Sequence, residues 1–144
     1  MAVQDMLLST YGSNQQVYFR TVGEPVAQNG WKLAWKNRRP HIYDSLGGMK
    51  AALRAQLVVA LEEFEHNEPY YFPRKTLIQG SITFNTNNFK KKDLDNMAKF
   101  ILDAMEGAIY DDDRYLVSLV LKKKPLTNGQ QPCTDVHLET STSG

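Results

Sequence analysis

LIQGSITFNT at residues 77–86, DLDNMAKFILDAMEG at 93–107 and YLVSLVL at 115–121 follow one another, and together they decide how this chain folds. In the first, Ile78, Gly80, Ile82 and Phe84 alternate with Gln79, Ser81 and Thr83, the period of a half-buried strand. In the second, Leu94, Met97, Ile101, Ala104, Met105 and Ala108 recur at helical spacing, so Asp93 or Asp95 opens a helix that Gly107 ends. The third is almost continuously apolar, which suits a central strand covered on both faces.

Working outward, Gln16–Val22 (QVYFRTV) is β-branched and aromatic and stops at Gly23, a strand signature. Residues 23–40 hold Pro25, Asn29-Gly30, two tryptophans and four basic residues, and predict an irregular or hairpin-like segment. Ser45 is placed to cap a helix reaching about Glu65, with Leu46, Met49, Leu53, Leu57, Ala60, Leu61 and Phe64 as its buried stripe. Lys50, Arg54, Glu62 and Glu63 fall on its opposite side. Thr134–Glu139 alternates weakly and predicts a last strand. The sum is a single small α/β domain of the α+β kind, with a mixed sheet of about four strands and two main helices packed on it. Residues 1–14 are expected to be a flexible leader, 15–140 the folded domain and 141–144 a flexible tail.

The chain has 144 residues, 42% hydrophobic and 23% charged, within the range of one ordinary globular domain. Its net charge of +1 says little about partners, but the charges are segregated. Basic residues gather at Lys32, Lys36, Arg38 and Arg39, at Arg74 and Lys75, at Lys90–Lys92 and at Lys122–Lys124. Such clusters suit a phosphate-facing surface, and lysine runs are also common as plain solvated faces. Cys133 is the only cysteine, so neither an intrachain disulfide nor a thiolate zinc site can form. No segment approaches the ~20 apolar residues of a membrane span, and the start of the chain lacks a secretion signal's pattern. The expectation is a soluble, intracellular protein.

Four acids then carry the functional reading: Asp93 and Asp95 at the opening of the second helix, and Asp112 and Asp113 at the end of the run 111–113. Hard divalent cations take oxygen ligands, commonly one or two carboxylates per ion together with substrate phosphate. The run Lys90-Lys91-Lys92 beside them would attract a polyanion. The plain alternative is that Asp93 caps the helix, Asp95 pairs with Lys99 one turn on, and 111–113 is a polar turn. Strand alternation would point Asp111 and Asp113 one way and Asp112 the other. Asp103 reads as an acceptor for Lys99 or as a surface acid. His41, His66 and His137 show no zinc spacing, and GxSxG, GxxxxGK[ST] and GxGxxG are all missing.

With DLDNMAK at 93–99, ILDAMEG at 101–107 and YDDDRYLV at 110–117, the chain resembles the RusA family of Holliday junction resolvases, the crossover junction endodeoxyribonucleases. Val17-Tyr18-Phe19 and Gly23-Glu24-Pro25-Val26 are similar to that family's opening strand and turn. The likeness runs from about Gln16 to Lys124 and is densest from Asp93 to Val117. It implies catalysis by Asp93, Asp95, Lys99 and Asp113. The metal ligands would be Asp93, Asp95 and Asp113, with Asp112 as the alternate, for Mg²⁺ or substituting Mn²⁺. It also implies a homodimer that nicks two opposed strands of a four-way DNA junction, with Lys90, Lys91, Lys92, Lys32, Arg38 and Arg39 as DNA contacts. The family's arginine-rich segment is absent after the opening strand, where Asn29-Gly30-Trp31-Lys32 stands, and Arg38-Arg39-Pro40 comes later. Flap or other branched-DNA cleavage, and a non-catalytic nucleic-acid-binding protein, are the competing readings.

Overall fold

A computed structural model describes residues 1–28, 32–36, 39–43 and 46–141, the stretches 32–36 and 39–43 through their backbone alone. Strands β1 (Ala2–Tyr11) and β2 (Asn14–Val22) form a hairpin, and β3 (Lys32–Lys36) and β4 (Arg39–Tyr43) form a second, separate one. Helix α1 (Gly47–Glu63), β5 (Ile78–Thr86), helix α2 (Leu94–Met105), β6 (Leu116–Pro125) and β7 (Cys133–Thr140) follow. The main sheet runs β1-β2-β7-β5-β6; β5 and β6 are parallel and the remaining pairs antiparallel.

The expected mixed α+β domain with two main helices is what forms, with five strands in its sheet rather than about four. The difference is β1. Residues 2–11, read as a loose leader, are paired along β2, because Val3, Met6 and Leu8 turn inward while Gln4, Asp5 and Leu7 face out. Residues 142–144 of the expected tail lie outside the described residues, as does the capping position Ser45.

Both helices cover one face of the sheet. Val17 and Phe19 of β2, Ile78, Ile82 and Phe84 of β5, and Val136 and Leu138 of β7 meet Leu53, Leu57 and Leu61 of α1 and Met97, Ile101, Ala104 and Met105 of α2. Each such fully buried side chain contributes about 1.5–3 kcal/mol relative to exposure. The expected α1 stripe holds at its centre, but Met49 and Phe64 at its ends are 47% exposed. Lys50 is buried instead of solvated. It stands four residues after Leu46 and three before Leu53, so it belongs to the apolar stripe by spacing.

The sheet's other face is polar. There Arg20 donates to Asp135 at 2.7 Å, and Tyr18 donates to the same carboxylate at 3.1 Å. Strand β6, expected in the middle of the sheet, is an outer strand, with β5 as its one neighbour among the described residues. Its apolar run Leu116–Leu121 is half-buried at best, with Val117 and Val120 about half exposed. At the opposite rim β1 is interrupted by a register shift between Gln4 and Leu7, where Asp5 has φ 55°. Such a bulge spoils a rim for further pairing.

Gly80 is required by close approach of the neighbouring strand. A Cβ there would lie 2.1 Å from the His137 carbonyl oxygen and 2.9 Å from Leu138 Cα, both backbone atoms. Gly80→Ala is expected to cost about 1–3 kcal/mol or more. Gly48→Ala, whose Cβ meets nothing within 4 Å, should leave the melting temperature unchanged or slightly higher. Thermal unfolding of the two variants checks the β5–β7 register; equal melting temperatures would refute it.

Candidate active site

Helix α2 is anchored at both ends. At its start, Lys92 extends its ammonium to Glu24 Oε1 at 3.3 Å and to the Pro25 carbonyl. Glu24 also accepts from the Thr86 hydroxyl and from Asn87 N–H. Lys123 Nζ donates to the Lys92 carbonyl at 2.9 Å, tying β6 to the same point. At the helix end, the α1 residue Arg54 donates from Nε to the Glu106 carbonyl at 2.5 Å and from Nη2 to the Asp103 carbonyl at 2.7 Å. A guanidinium there satisfies carbonyls that the helix leaves unpaired and suits the negative end of its dipole. Lys50 Nζ reaches Asp103 Oδ2 at 2.9 Å from the same side. Asp103, expected beside Lys99 or on the surface, is therefore held by α1.

Beyond α2 the chain reverses at Gly107, φ 91°, with Gly107 N–H bonded to the Tyr110 carbonyl at 2.8 Å. The buried Tyr110 donates back to Leu102 O at 2.7 Å. This turn sets residues 111–113 against the end of the helix. Asp111 turns out to Arg74 at 3.0 Å. Asp112 caps a 3₁₀ turn over Asp113–Tyr115, its Oδ1 accepting from Arg114 N–H at 2.9 Å. Asp113 N–H donates to Glu106 Oε1 at 3.2 Å. Strand alternation does not govern the triplet, because Asp113 begins a 3₁₀ turn and β6 starts only at Leu116.

Glu106, Asp112 and Asp113 thus present carboxylate oxygens within 4.8 Å of one another. Burial raises the Asp113 carboxyl above its usual range, and the charges of Asp112 and Asp103 raise it further. Glu106 is likewise raised, by burial first and then by Asp113, Asp112 and Asp103, despite the opposing bond from Asp113 N–H. Crowded carboxylates, two of them shifted upward by desolvation and by each other's charge, are a donor set that a hard divalent cation relieves.

Asp93 and Asp95 do not belong to that group. Asp93 occupies the helix N-cap with extended backbone, but its side chain makes no cap hydrogen bond and only accepts from Asn96 Nδ2 at 3.4 Å. Asp95 and Lys99 are exposed and do not pair with each other among the described residues. Eleven residues of helix at 1.5 Å rise put the Cα atoms of Asp95 and Glu106 about 16 Å apart. Within one chain the expected convergence of Asp93, Asp95 and Asp113 is not what α2 produces; the acids form two groups, one at each end of the helix. A cleft of about 420 Å³ opens beside the first group, between residues 24–27 and Lys91, Lys92, Asp93 and Asn96.

Of the basic residues, Lys90 and Lys91 are exposed, whereas Lys92 is engaged inward. Phe89 is 38% exposed, with the Lys123 ammonium 4.9 Å from its ring centre. The side chains of Lys32 and Arg39 and the whole of Arg38 lie outside the described residues. Glu106 escaped the sequence reading, whereas Lys50 and Arg54, expected on the side of α1 opposite its buried stripe, instead reach the end of α2. Glu106 looked like a helix end, although an acid before Gly107 and seven residues ahead of Asp113 was a usable signal.

Comparison with known proteins bears directly on this arrangement. The family model described as Endodeoxyribonuclease RusA matches residues 23–139, from the turn bearing Glu24 to the end of β7. The chain belongs to the RusA family. It is therefore a member of an endodeoxyribonuclease family, and both acid groups fall inside the matched span. Hairpin β1–β2 lies wholly before that span. Comparison with curated proteins gives no match. No helix among the described residues is long and apolar enough to cross a membrane.

The anchor at the start of α2 should be sensitive to pH. Burial raises the Glu24 carboxyl, but bonds from Thr86, Asn87 N–H and Lys92 outweigh it, so the group lies below the usual carboxylate range. A depressed folded pKa gives stability that is present above the unfolded pKa and lost as pH falls through the folded one. Glu24→Gln is expected to cost about 1–2 kcal/mol at pH 7 and progressively less below about pH 4. Urea unfolding at pH 7 and pH 3 checks this, and an equal deficit at both would refute the charged anchor.

Proposed function

We propose that this protein is a divalent-metal-dependent endonuclease that resolves four-way DNA junctions by paired, symmetric nicks. The RusA family match over residues 23–139 carries the reading. The crowded carboxylates at Glu106, Asp112 and Asp113 support its metal dependence.

Asp93, Asp95, Asp112 and Asp113 are the side chains that would hold Mg²⁺ or Mn²⁺, with Glu106 joining the second group. Their donors are all carboxylate oxygens, which fit a hard cation and offer nothing to a soft one. When bound, such a cation lowers the pKa of a coordinated water and neutralises the scissile phosphate. Lys99, exposed and without an acid partner among the described residues, would stabilise negative charge developing on the phosphoryl group. Lys90 and Lys91 hold the DNA backbone at the start of α2, with Lys32, Arg38 and Arg39 as further contacts. That binding should weaken steeply with salt. Lys92 serves the site by fixing the position of Asp93. Two symmetric nicks require two such centres related by a two-fold axis, which a homodimer supplies.

Purified protein with a mobile four-way junction and Mg²⁺ or Mn²⁺, each strand labelled in turn, should yield incisions at symmetry-related positions. Matched flap and duplex controls should be cut far less, and preferential flap cutting would displace the junction reading. Asp95→Asn should slow cleavage by about 100-fold or more while junction binding persists; loss of binding would count against its role.

Cation addition should raise the melting temperature as concentration passes the dissociation constant. For Glu106 and Asp113 the folded pKa is raised, so their ionised forms cost stability near neutral pH. Asp113→Asn should melt higher than wild type in EDTA and gain less from Mn²⁺. A lower melting temperature in EDTA would contradict the crowding.

A further inference from the structure

One guanidinium stands at the crowded acids with little to hold it there. Resting on the nuclease reading above, we infer that Arg114 is a further catalytic residue of this chain. Its guanidinium rests on Asp112 until that carboxylate takes up a divalent cation, and then contacts the non-bridging oxygens of the phosphate being cut.

The 3₁₀ turn puts Arg114 in place. Asp112 Oδ1 accepts from Arg114 N–H, which starts the Arg114 side chain at the rim of the Glu106, Asp112 and Asp113 group. Arg114 Nε then lies 3.6 Å from Asp112 Oδ2. On its other side Nη2 donates to the Tyr115 hydroxyl at 3.1 Å, and the guanidinium carbon sits 5.1 Å from the centre of the Tyr115 ring. A half-buried tyrosine thus steers the guanidinium without enclosing it.

The hold on Asp112 is weak. The Arg114 side chain is 70% exposed and that of Asp112 40%, and an open pair of this kind gains little over water. Arg54 is the contrast, with two short bonds to the Asp103 and Glu106 carbonyls. Asp112 can therefore exchange the guanidinium for a divalent cation at small cost, while its bond to Arg114 N–H keeps the backbone where it is.

Charge gives the released guanidinium its task. Three carboxylates outweigh one divalent cation, so the group stays net negative, and a phosphodiester arrives with a negative charge of its own. More charge develops on the non-bridging oxygens as a water oxygen bonds to phosphorus and one P–O ester bond breaks. The leaving oxygen takes one of the water's protons and the other passes to solvent; Arg114 neither gives nor takes a proton. Other cations at this end of α2 are engaged elsewhere. Lys50 holds Asp103, Arg54 holds the helix carbonyls and Arg74 holds Asp111. Among the described residues Arg114 is the cation paired with the group itself. Two parallel N–H bonds from its planar fork match two non-bridging phosphate oxygens.

Wild type, Arg114→Gln and the control Arg74→Gln are compared in three measurements. Titration with Mn²⁺ alone, read by melting temperature, should show Arg114→Gln binding the ion about 2- to 5-fold more tightly, because no guanidinium has to be displaced. Affinity for a four-way junction in EDTA should change by less than about 5-fold. Single-turnover cleavage of that junction at saturating Mn²⁺ should slow by about 100-fold or more. Arg74→Gln should leave all three within about twofold of wild type. Should Arg114→Gln fail to fold by circular dichroism, Arg114→Lys takes its place. It keeps the charge and loses the fork, and should slow cleavage by about 10-fold with junction affinity unchanged.

Unchanged, weaker or absent Mn²⁺ binding by Arg114→Gln overturns the displacement, and cleavage within about threefold of wild type overturns the catalytic role. A loss of junction affinity as large as the loss of rate makes Arg114 a DNA anchor, and a matching response from Arg74→Gln reduces it to bulk charge; either overturns the assignment. If wild type cuts no junction, the nuclease reading fails, and the Mn²⁺ titration alone decides the displacement.

Discussion

The rigidity of helix α2 is the constraint on which the site depends. Its start is tied through Lys92 to Glu24 and Pro25 and through Lys123 to β6; its end is closed by Arg54 and by Tyr110. Buried Met97, Ile101, Ala104 and Met105 leave no room for it to slide on the sheet. The two acid groups therefore cannot approach by bending the helix between them. Their chemistry is fixed by what lies at each end.

Those ends differ in character. At the start, Asp93, Asp95 and Lys99 are exposed, with the exposed Lys90 and Lys91 nearby. At the other end, three carboxylates are drawn together by a glycine reversal and a 3₁₀ turn, and desolvation with mutual repulsion raises two of them above the usual carboxylate range. The first group suits contact with a long polyanion; the second holds the crowding that a cation relieves. Family membership is what joins the two into one functional reading.

Much of the fold could be read from periodicity. The alternation of 77–86 and the helical spacing of 94–108 gave β5 and α2 within a few residues, because both are local patterns that packing reinforces. What failed depended on contacts distant in sequence. Strand β1 was missed because its inward residues Val3, Met6 and Leu8 are spaced irregularly around the shift at Asp5. The apolar run of β6 suggested burial on both faces, yet the chain order leaves it at the rim. In the site, residue types were legible and distances were not. Asp112 and Asp113 could be named, but the turn that pairs them with Glu106 rests on Gly107 and Tyr110. Lys50 lay in plain view within the apolar stripe of α1 and was assigned to solvent because of its charge.

The two rims of the sheet are unlike, and that asymmetry decides which of them resembles a template for a further strand. The Asp5 kink denies β1 a straight ladder, whereas among the described residues β6 keeps one. Exposed Val117 and Val120 on the straight rim make it, rather than the kinked one, the place where unwanted strand pairing between molecules would begin.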